Sequence, residues 1–193
     1  MLFAANVIRL LPLLALFRFG ANRDLTAADL DRWRRVLLPS RPELSRVRVF
    51  LALMIKVPEY RNLFYHRVGP IHRLVRFLCP PLSSLYLPVS KIGPGLFIQH
   101  GFSTIVFARE IGANCWINQQ VTIGASVGTG MPTLGDNVSV HAGAKVLGEI
   151  TVGDGVVIGA NAVVVKDVPP NVTVVGVPAY IIKRDGKKVR EPL

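Results

Sequence analysis

From Lys91 onward, aliphatic residues recur at a nearly fixed interval. They fall at Ile92, Ile98, Ile105, Ile111, Ile117 and Ile123, and resume at Leu134, Val140, Val146, Val152, Ile158 and Val164. The step is six, except for seven between Ile98 and Ile105 and eleven between Ile123 and Leu134. Four positions after most of them comes a small or apolar residue: Val121, Val138, Ala144, Ile150, Val156 and Ala162, with Cys115 in the same slot. A glycine often follows the aliphatic directly, as at Gly93, Gly112, Gly135 and Gly153. A sustained period of six predicts short strands stacked as the sides of a triangular coil, with the aliphatics filling its interior. Glycine near a corner admits backbone geometry that other residues resist. Three hexads close one coil, so these twelve aliphatic positions predict about four coils.

Upstream the apolar period is helical. Thr26 with Asp29 predicts a helix start, and DLDRWRRVLL then stops before Pro39. Ser40 with Glu43 predicts a capping box opening ELSRVRVFLALMIKV, which ends at Pro58. PEYRNLFYHRV predicts a third helix closed by Gly69-Pro70, and IHRLVRFLC a fourth stopped by Pro80-Pro81. The opening stretch MLFAANVIRLLPLLALFRFG is interrupted by Arg9 and Pro12. It is short of the roughly 20 apolar residues of a membrane span, and it lacks the basic region and small-residue cleavage site of a secretory signal. It predicts a helix that either lies in a membrane interface or docks on its own protein. The expected organisation is a basic helical region over residues 1–88, a coil domain over 89–178 and a tail over 179–193.

Charge sharpens that division. Of the formal net charge of +11, residues 1–91 hold fifteen Lys and Arg against five Asp and Glu, whereas residues 92–193 hold eight against seven. A basic, aliphatic first part points to an anionic membrane surface or to phosphate-bearing ligands. Zinc-finger spacings and RNA-binding signatures are missing, which argues against nucleic acid as partner. Two cysteines, Cys79 and Cys115, make neither a disulfide framework nor a metal cluster. The place of Cys115 in the repeat predicts a core thiol.

The stretches IGPGLFIQHG, GAKVLGEITVGDGVVIGANAVVVKDVPPNVTVVGVPA and, more loosely, YRNLFYHRVG resemble the left-handed β-helix, hexapeptide-repeat acyltransferases. The resemblance covers roughly residues 60–183. It lies in the serine acetyltransferase-like branch and is closest in kind to polysaccharide O-acetyltransferases. It implies a mainly β fold: a left-handed parallel β-helix of about four coils preceded by an α-helical region. It also implies a homotrimer, acetyl-CoA as donor in a groove between neighbouring subunits, and no metal. Every third hexad lies over the same side, so Ile98, Ile117, Val140 and Ile158 should stack. Two residues on, His100, Gln119, Ala142 and Ala160 form one column, whose two alanines leave room for a ligand. The resemblance makes His100 the catalytic base and gives coenzyme A contacts to Ala142, Ala160, Val165, Lys166 and Lys183. A neutral imidazole suits removal of an alcohol proton near neutral pH. The seven-residue step after Ile98 suits a local bulge that re-aims a side chain. Gln99, Gln119, His141 and Met131 are candidate acceptor or loop contacts. His66 and His72 are expected at the surface, and ASVGTGMPT is expected to wall a neighbouring subunit's site.

The sequence departs from the serine enzymes at three positions. Their aspartate fifteen residues before the histidine corresponds to Leu85, their aspartate just before it to Gln99, and their second histidine before a proline to Met131. An uncharged site favours a sugar hydroxyl. The main expectation is therefore acetyl transfer to a bacterial surface polysaccharide (capsule, exopolysaccharide or lipopolysaccharide) or its precursor, with a glycan or glycolipid as acceptor. It places the protein in the cytoplasm, with peripheral contact to the anionic cytoplasmic face of the inner membrane. The alternative is a serine O-acetyltransferase of cysteine biosynthesis. A β-helix scaffold without catalysis is a third reading, against which His100 speaks.

Overall fold

The computed structural model describes residues 2–126, 128 and 130–193. The chain divides into two compact units, Met1–Leu82 and Ser83–Leu193.

The first unit is helical: α1 (Leu2–Phe19), α2 (Arg23–Leu37), α3 (Arg46–Lys56) and α4 (Pro58–Val68), then a 3₁₀ turn over Gly69–Leu74. Its core is aromatic, with Trp33, Phe50, Tyr60 and Phe64 all buried. Phe50 meets Tyr60 and Phe64 edge-on and stacks on Phe17 at 4.6 Å between centroids. Of the two expectations for the opening stretch, docking on its own protein is the one the structure displays: Leu10, Leu13 and Phe17 of α1 are buried. Among the described residues no helix is long and apolar enough to cross a membrane.

Three helix boundaries differ from expectation, each for a local reason. α2 begins at Arg23, ahead of Thr26, because Asp29 is committed elsewhere. Its carboxylate takes two hydrogen bonds from the Arg67 guanidinium, at 2.8 and 3.2 Å, and both side chains are almost fully buried. Thr26 sits inside the helix and donates to the Arg23 carbonyl. α3 is capped by Ser45, whose hydroxyl accepts from the Arg48 N–H, and not by the Ser40–Glu43 pair. The expected fourth helix over 71–79 is only the 3₁₀ turn and bends beyond it. Its apolar residues Ile71, Leu74 and Phe77 are exposed, so no packed face sustains a longer helix.

The second unit is the coil. Its first face stacks β1 (Leu85–Tyr86), β4 (Thr104–Val106), β7 (Thr122–Gly124), β10 (Lys145–Leu147) and β13 (Val163–Val164). The second stacks β2 (Lys91–Ile92), β5 (Glu110–Ile111), β8 (Thr133–Leu134) and β11 (Thr151–Val152), with Val168 bridging to Val152 above. The third stacks β3 (Phe97–Ile98), β6 (Trp116–Ile117), β9 (Ser139–Val140), β12 (Val157–Ile158) and β14 (Val172–Val175). All these pairings are parallel, and they build the left-handed β-helix. The four coils read from the hexads are present, and β1 at one end with Val168 and β14 at the other extend the stack. β15 (Tyr180–Arg184) and β16 (Lys187–Pro192) then fold back antiparallel on β14, so the chain pairs its own exposed sheet edge.

Register explains the interior. Ile98 pairs with Ile117, Ile117 with Val140 and Val140 with Ile158, all buried. One repeat position moves: Val106, not Ile105, fills the interior opposite Ile123, and Ile105 is exposed. Thr104 takes the small interior slot two residues before Val106. The turn after β3 therefore carries two residues more than a plain hexad, and the following turn one fewer. Corner residues adopt left-handed backbone at regular intervals, among them Asn114, Asn137, Gly143, Asn161 and Asn171. At Gly143 (φ 73°) a side chain is doubly excluded, since a Cβ would lie 2.1 Å from the Asn161 amide oxygen.

Candidate active site

The lengthened turn between β3 and β4 is where the candidate base sits. His100 and Ser103 both take left-handed backbone, at φ 53° and 52°. For residues with a side chain this conformation is uncommon and needs surrounding structure to hold it. Here the holding bonds are explicit. The Phe102 N–H donates to the His100 carbonyl at 2.8 Å, tightening the turn on itself. The next coil then fastens it: Gln99 N–H donates to the Ile117 carbonyl, Gln120 N–H to the Phe102 carbonyl and Ile105 N–H to the Val121 carbonyl, at 2.9 to 3.1 Å. Side chains add to this, with Asn118 Nδ2 donating to Gln99 Oε1 at 3.0 Å and the Thr104 hydroxyl to the Phe102 carbonyl at 3.2 Å. The His100 side chain emerges from this frame exposed to solvent.

The column read from the repeat loses its first member. The Gln120 N–H donates to the Phe102 carbonyl as the Gly143 N–H does to Gln119 and the Asn161 N–H to Ala142. Phe102, and not His100, therefore stands over Gln119, Ala142 and Ala160, and His100 lies in the two-residue lengthening of the turn. The neighbouring column holds Gln99, Asn118 and His141, and His141 is exposed. Val165 and Lys166 lie on another edge, after β13. With Val163, Pro178, Tyr180 and Leu193 they line a cavity of about 340 Å³, where Lys166 Nζ donates to the Leu193 carbonyl at 2.9 Å. Lys183 is exposed in β15, opposite Thr173 and Lys188, and is not among the residues lining that cavity. Met131 is half-buried in the insertion loop beside buried Pro132. Val127 and Thr129 of that loop lie outside the described residues. Ser126 and Gly128 line a second cavity, of about 420 Å³, with Leu147, Glu149 and Val165 of the same chain.

The remaining candidates separate from the chemistry. Cys115 is fully buried, its thiol donates to the Gly135 carbonyl at 3.2 Å, and burial pushes its pKa up to about 11. Such a thiol is a packing group, not a nucleophile. His66 and His72, expected at the surface, are partly enclosed. Burial and then the Arg67 charge lower the His66 pKa, while His72 stacks on Tyr65 and its Nδ1 lies 2.7 Å from the Gly69 carbonyl. Among the described residues no three of His, Cys, Asp or Glu gather where they could hold a metal. Asn118 and Thr104 are the framing residues that the sequence reading missed. The pairing of Ile98 with Ile117 lays Asn118 beside Gln99, and the corrected register of β4 brings Thr104 to the turn.

Residues 131–166 match the bacterial transferase hexapeptide (six repeats) family. Over 157 residues the chain is 43% identical to a serine acetyltransferase of Synechococcus elongatus, covering 74% of this chain and 64% of that protein. Over 109 residues it is 47% identical to a serine acetyltransferase of Staphylococcus xylosus, covering 53% and 49%. The chain thus spans about half to two thirds of the length of these curated relatives. Among solved structures, the serine acetyltransferase of Neisseria gonorrhoeae in complex with serine superposes with a TM-score of 0.65 at 27% identity, over 86% of this chain and 70% of that one. The Brucella abortus serine acetyltransferase in complex with coenzyme A gives 0.64 at 25% identity, over 87% and 69%.

These relatives overturn the polysaccharide acceptor. That expectation rested on three uncharged residues, and the structure removes their weight. Leu85 is a buried residue of β1 paired with Thr104, so counting back from the histidine lands in the packed coil. Gln99 is occupied in bracing the turn, and Met131 belongs to the insertion loop. The coil is a left-handed β-helix, residues 131–166 carry the hexapeptide transferase repeat, and over most of its length the chain is similar to serine acetyltransferases.

Proposed function

We propose that the protein is an acetyl-CoA-dependent O-acetyltransferase whose acceptor is the hydroxyl of L-serine. The observation that carries this reading is the solvent-facing His100, held in a left-handed turn by six backbone and side-chain bonds on the coil edge that carries Ala142 and Ala160. It is supported by the 43% and 47% identical relatives, which are serine acetyltransferases.

Each part of the site has a chemical task in this reading. Acetyl-CoA is the second substrate and supplies a thioester carbonyl. The residues present suit it. Ala142 and Ala160 leave space along the coil, and Lys166 offers a cation for phosphate beside an apolar cavity wall. His100 accepts the proton of the serine hydroxyl as that oxygen forms its bond to the carbonyl carbon, and gives the proton to the departing thiolate. The products are O-acetylserine and free coenzyme A, and the imidazole ends as it began. A positioned base of this kind contributes about 10² to 10⁴-fold. The division of labour assigns transfer to residues 89–178 and leaves the helical region 1–88 and the tail 179–193 as supporting parts. The working form is a homotrimer, with coenzyme A held between neighbouring copies.

The test is thiol release from acetyl-CoA with L-serine, and identification of O-acetylserine by mass spectrometry. His100→Ala should lower kcat by about 10² or more while leaving acetyl-CoA affinity unchanged. Absence of O-acetylserine with the wild-type protein, or unimpaired turnover by His100→Ala, overturns the reading.

A further inference from the structure

The segment after α4 carries a pattern that acetyl transfer does not use. Gly69–Leu74 is a 3₁₀ turn, and bonding three residues back continues beyond it. The Val75 N–H donates to the His72 carbonyl and the Leu78 N–H to the Val75 carbonyl, both at 3.0 Å. In such a stretch side chains three apart eclipse one another. Ile71, Leu74 and Phe77 therefore form one row, and Arg73 and Arg76 a second row beside it.

The apolar row is not packed. Leu74 and Phe77 are 74% and 73% exposed, and Ile71 is 48% exposed. Ile71 also lines an apolar groove of about 450 Å³ with Leu16, Phe19 and Val68, and Phe19 is itself 82% exposed. Large apolar side chains left in water are unfavourable. Joined in one patch, they mark a surface that another body covers.

Charge selects that body. The chain has no Asp or Glu between Glu59 and Glu110, and none before Asp24. Arg73 and Arg76 are exposed and make no ion pair among the described residues. A second copy of this chain is a poor cover, because a symmetric contact would set the same two arginines of each copy against one another. Nucleic acid would meet the arginines and leave Leu74 and Phe77 in water. An anionic lipid surface meets both rows, with hydrocarbon for one and headgroup phosphate for the other.

We infer that residues 71–77 are a membrane-docking element. Ile71, Leu74 and Phe77 enter the boundary between headgroups and acyl chains of an anionic phospholipid bilayer, while Arg73 and Arg76 hold lipid phosphates. The turn bonds keep part of the backbone's hydrogen bonding internal as the segment leaves water. Docking falls to this turn and not to the Leu10, Leu13 and Phe17 stripe of α1, which is buried. One short element without a lipid anchor gives reversible attachment that salt weakens.

The inference does not depend on which alcohol is acetylated, and its test needs no substrate. The whole chain should sediment at low salt with vesicles of equal parts phosphatidylglycerol and phosphatidylcholine, lose most of that binding at high salt, and ignore vesicles of phosphatidylcholine alone. Leu74→Glu with Phe77→Glu should abolish sedimentation. Arg73→Gln with Arg76→Gln should weaken it about 30-fold. All four positions are exposed, so the far-ultraviolet spectrum and the mass by light scattering should match wild type. If the first pair disturbs the fold, the second decides alone. Wild-type protein that stays in the supernatant, equal binding to both kinds of vesicle, or binding unchanged in both double variants overturns the inference. A smaller mass for Leu74→Glu with Phe77→Glu does so too, since a second copy would then be the cover. Failure to acetylate serine would overturn the acceptor reading and leave this result standing.

Discussion

The helical unit and the coil solve the burial problem in opposite ways. The helical unit packs large, shaped side chains: Trp33, Phe50, Tyr60 and Phe64 interlock at fixed angles, and an Asp29–Arg67 ion pair is enclosed with them. The coil interior is built from Ile, Val, Leu and Ala, with one threonine and one thiol, repeated rung by rung. In the first, stability depends on a few irreplaceable contacts, one of them electrostatic. In the second it is spread over many similar ones. Aliphatic rungs respond little to pH, so acid sensitivity should lie on the helical side. Each unit carries one of the two tryptophans, Trp33 in the helices and Trp116 in the coil, so each can be followed by its own fluorescence once the other is changed to Phe.

The largest effect should come from opening the buried pair. Arg67→Ala leaves Asp29 charged and enclosed, at a cost of about 3–5 kcal/mol. Urea unfolding followed through Trp33 should show it, while the Trp116 midpoint moves little. If the two probes shift together, the units unfold as one block and the contrast drawn above is wrong. A loss below about 1 kcal/mol would mean that water reaches the pair.

On the coil side, Ile117→Ala removes a fully buried rung flanked by Ile98 and Val140. A cost of about 2–4 kcal/mol is expected, this time in the Trp116 signal. Ile117→Val should cost about 1 kcal/mol. Equal losses from both substitutions would show that the interior tolerates a cavity and that rung shape contributes little.

The smallest effect is the pH response. His66 has its pKa lowered by burial and then by the Arg67 charge. A lowered histidine pKa means that the folded state prefers the neutral ring. The stability it confers is complete above about pH 6.5, the ordinary histidine value, and is lost as the pH falls through the lowered one. The Trp33 transition should weaken on going from neutral to mildly acidic buffer, and His66→Gln should flatten that dependence. A Trp116 transition that weakens equally would place the acid-sensitive group in the coil.

How much of this was legible in the sequence follows from the same contrast. A period of six is a local signal, so the coil and its stacked aliphatic rungs could be read by counting. Counting failed at Ile105 because a two-residue lengthening of the His100 turn is offset by a shortening before Ile111, and only hydrogen bonding shows where the register recovers. It failed again at Leu85, where a fixed offset from the histidine reached a core residue and suggested the wrong acceptor. In the helical unit, Asp29 looked like part of a helix start because its partner Arg67 is 38 residues away. The framing of the active-site turn by Asn118 and Thr104 was invisible for a related reason. Asparagine and threonine there look like ordinary coil surface until the neighbouring rung is laid against them.

The stacking of rungs also governs how the chain finds its structure. Ile158 meets Val140, 18 positions back, and Ile117 meets Ile98, 19 positions back. Each coil need only search for the one before it, so the entropy of loop closure is met in small, equal steps. Order can then spread along the axis from whichever rung forms first, much as in a one-dimensional lattice. The antiparallel return of β15 and β16 comes last in the chain and closes over an edge that would otherwise go on recruiting strands. A nascent coil without that return would be the species most prone to pair with its neighbours.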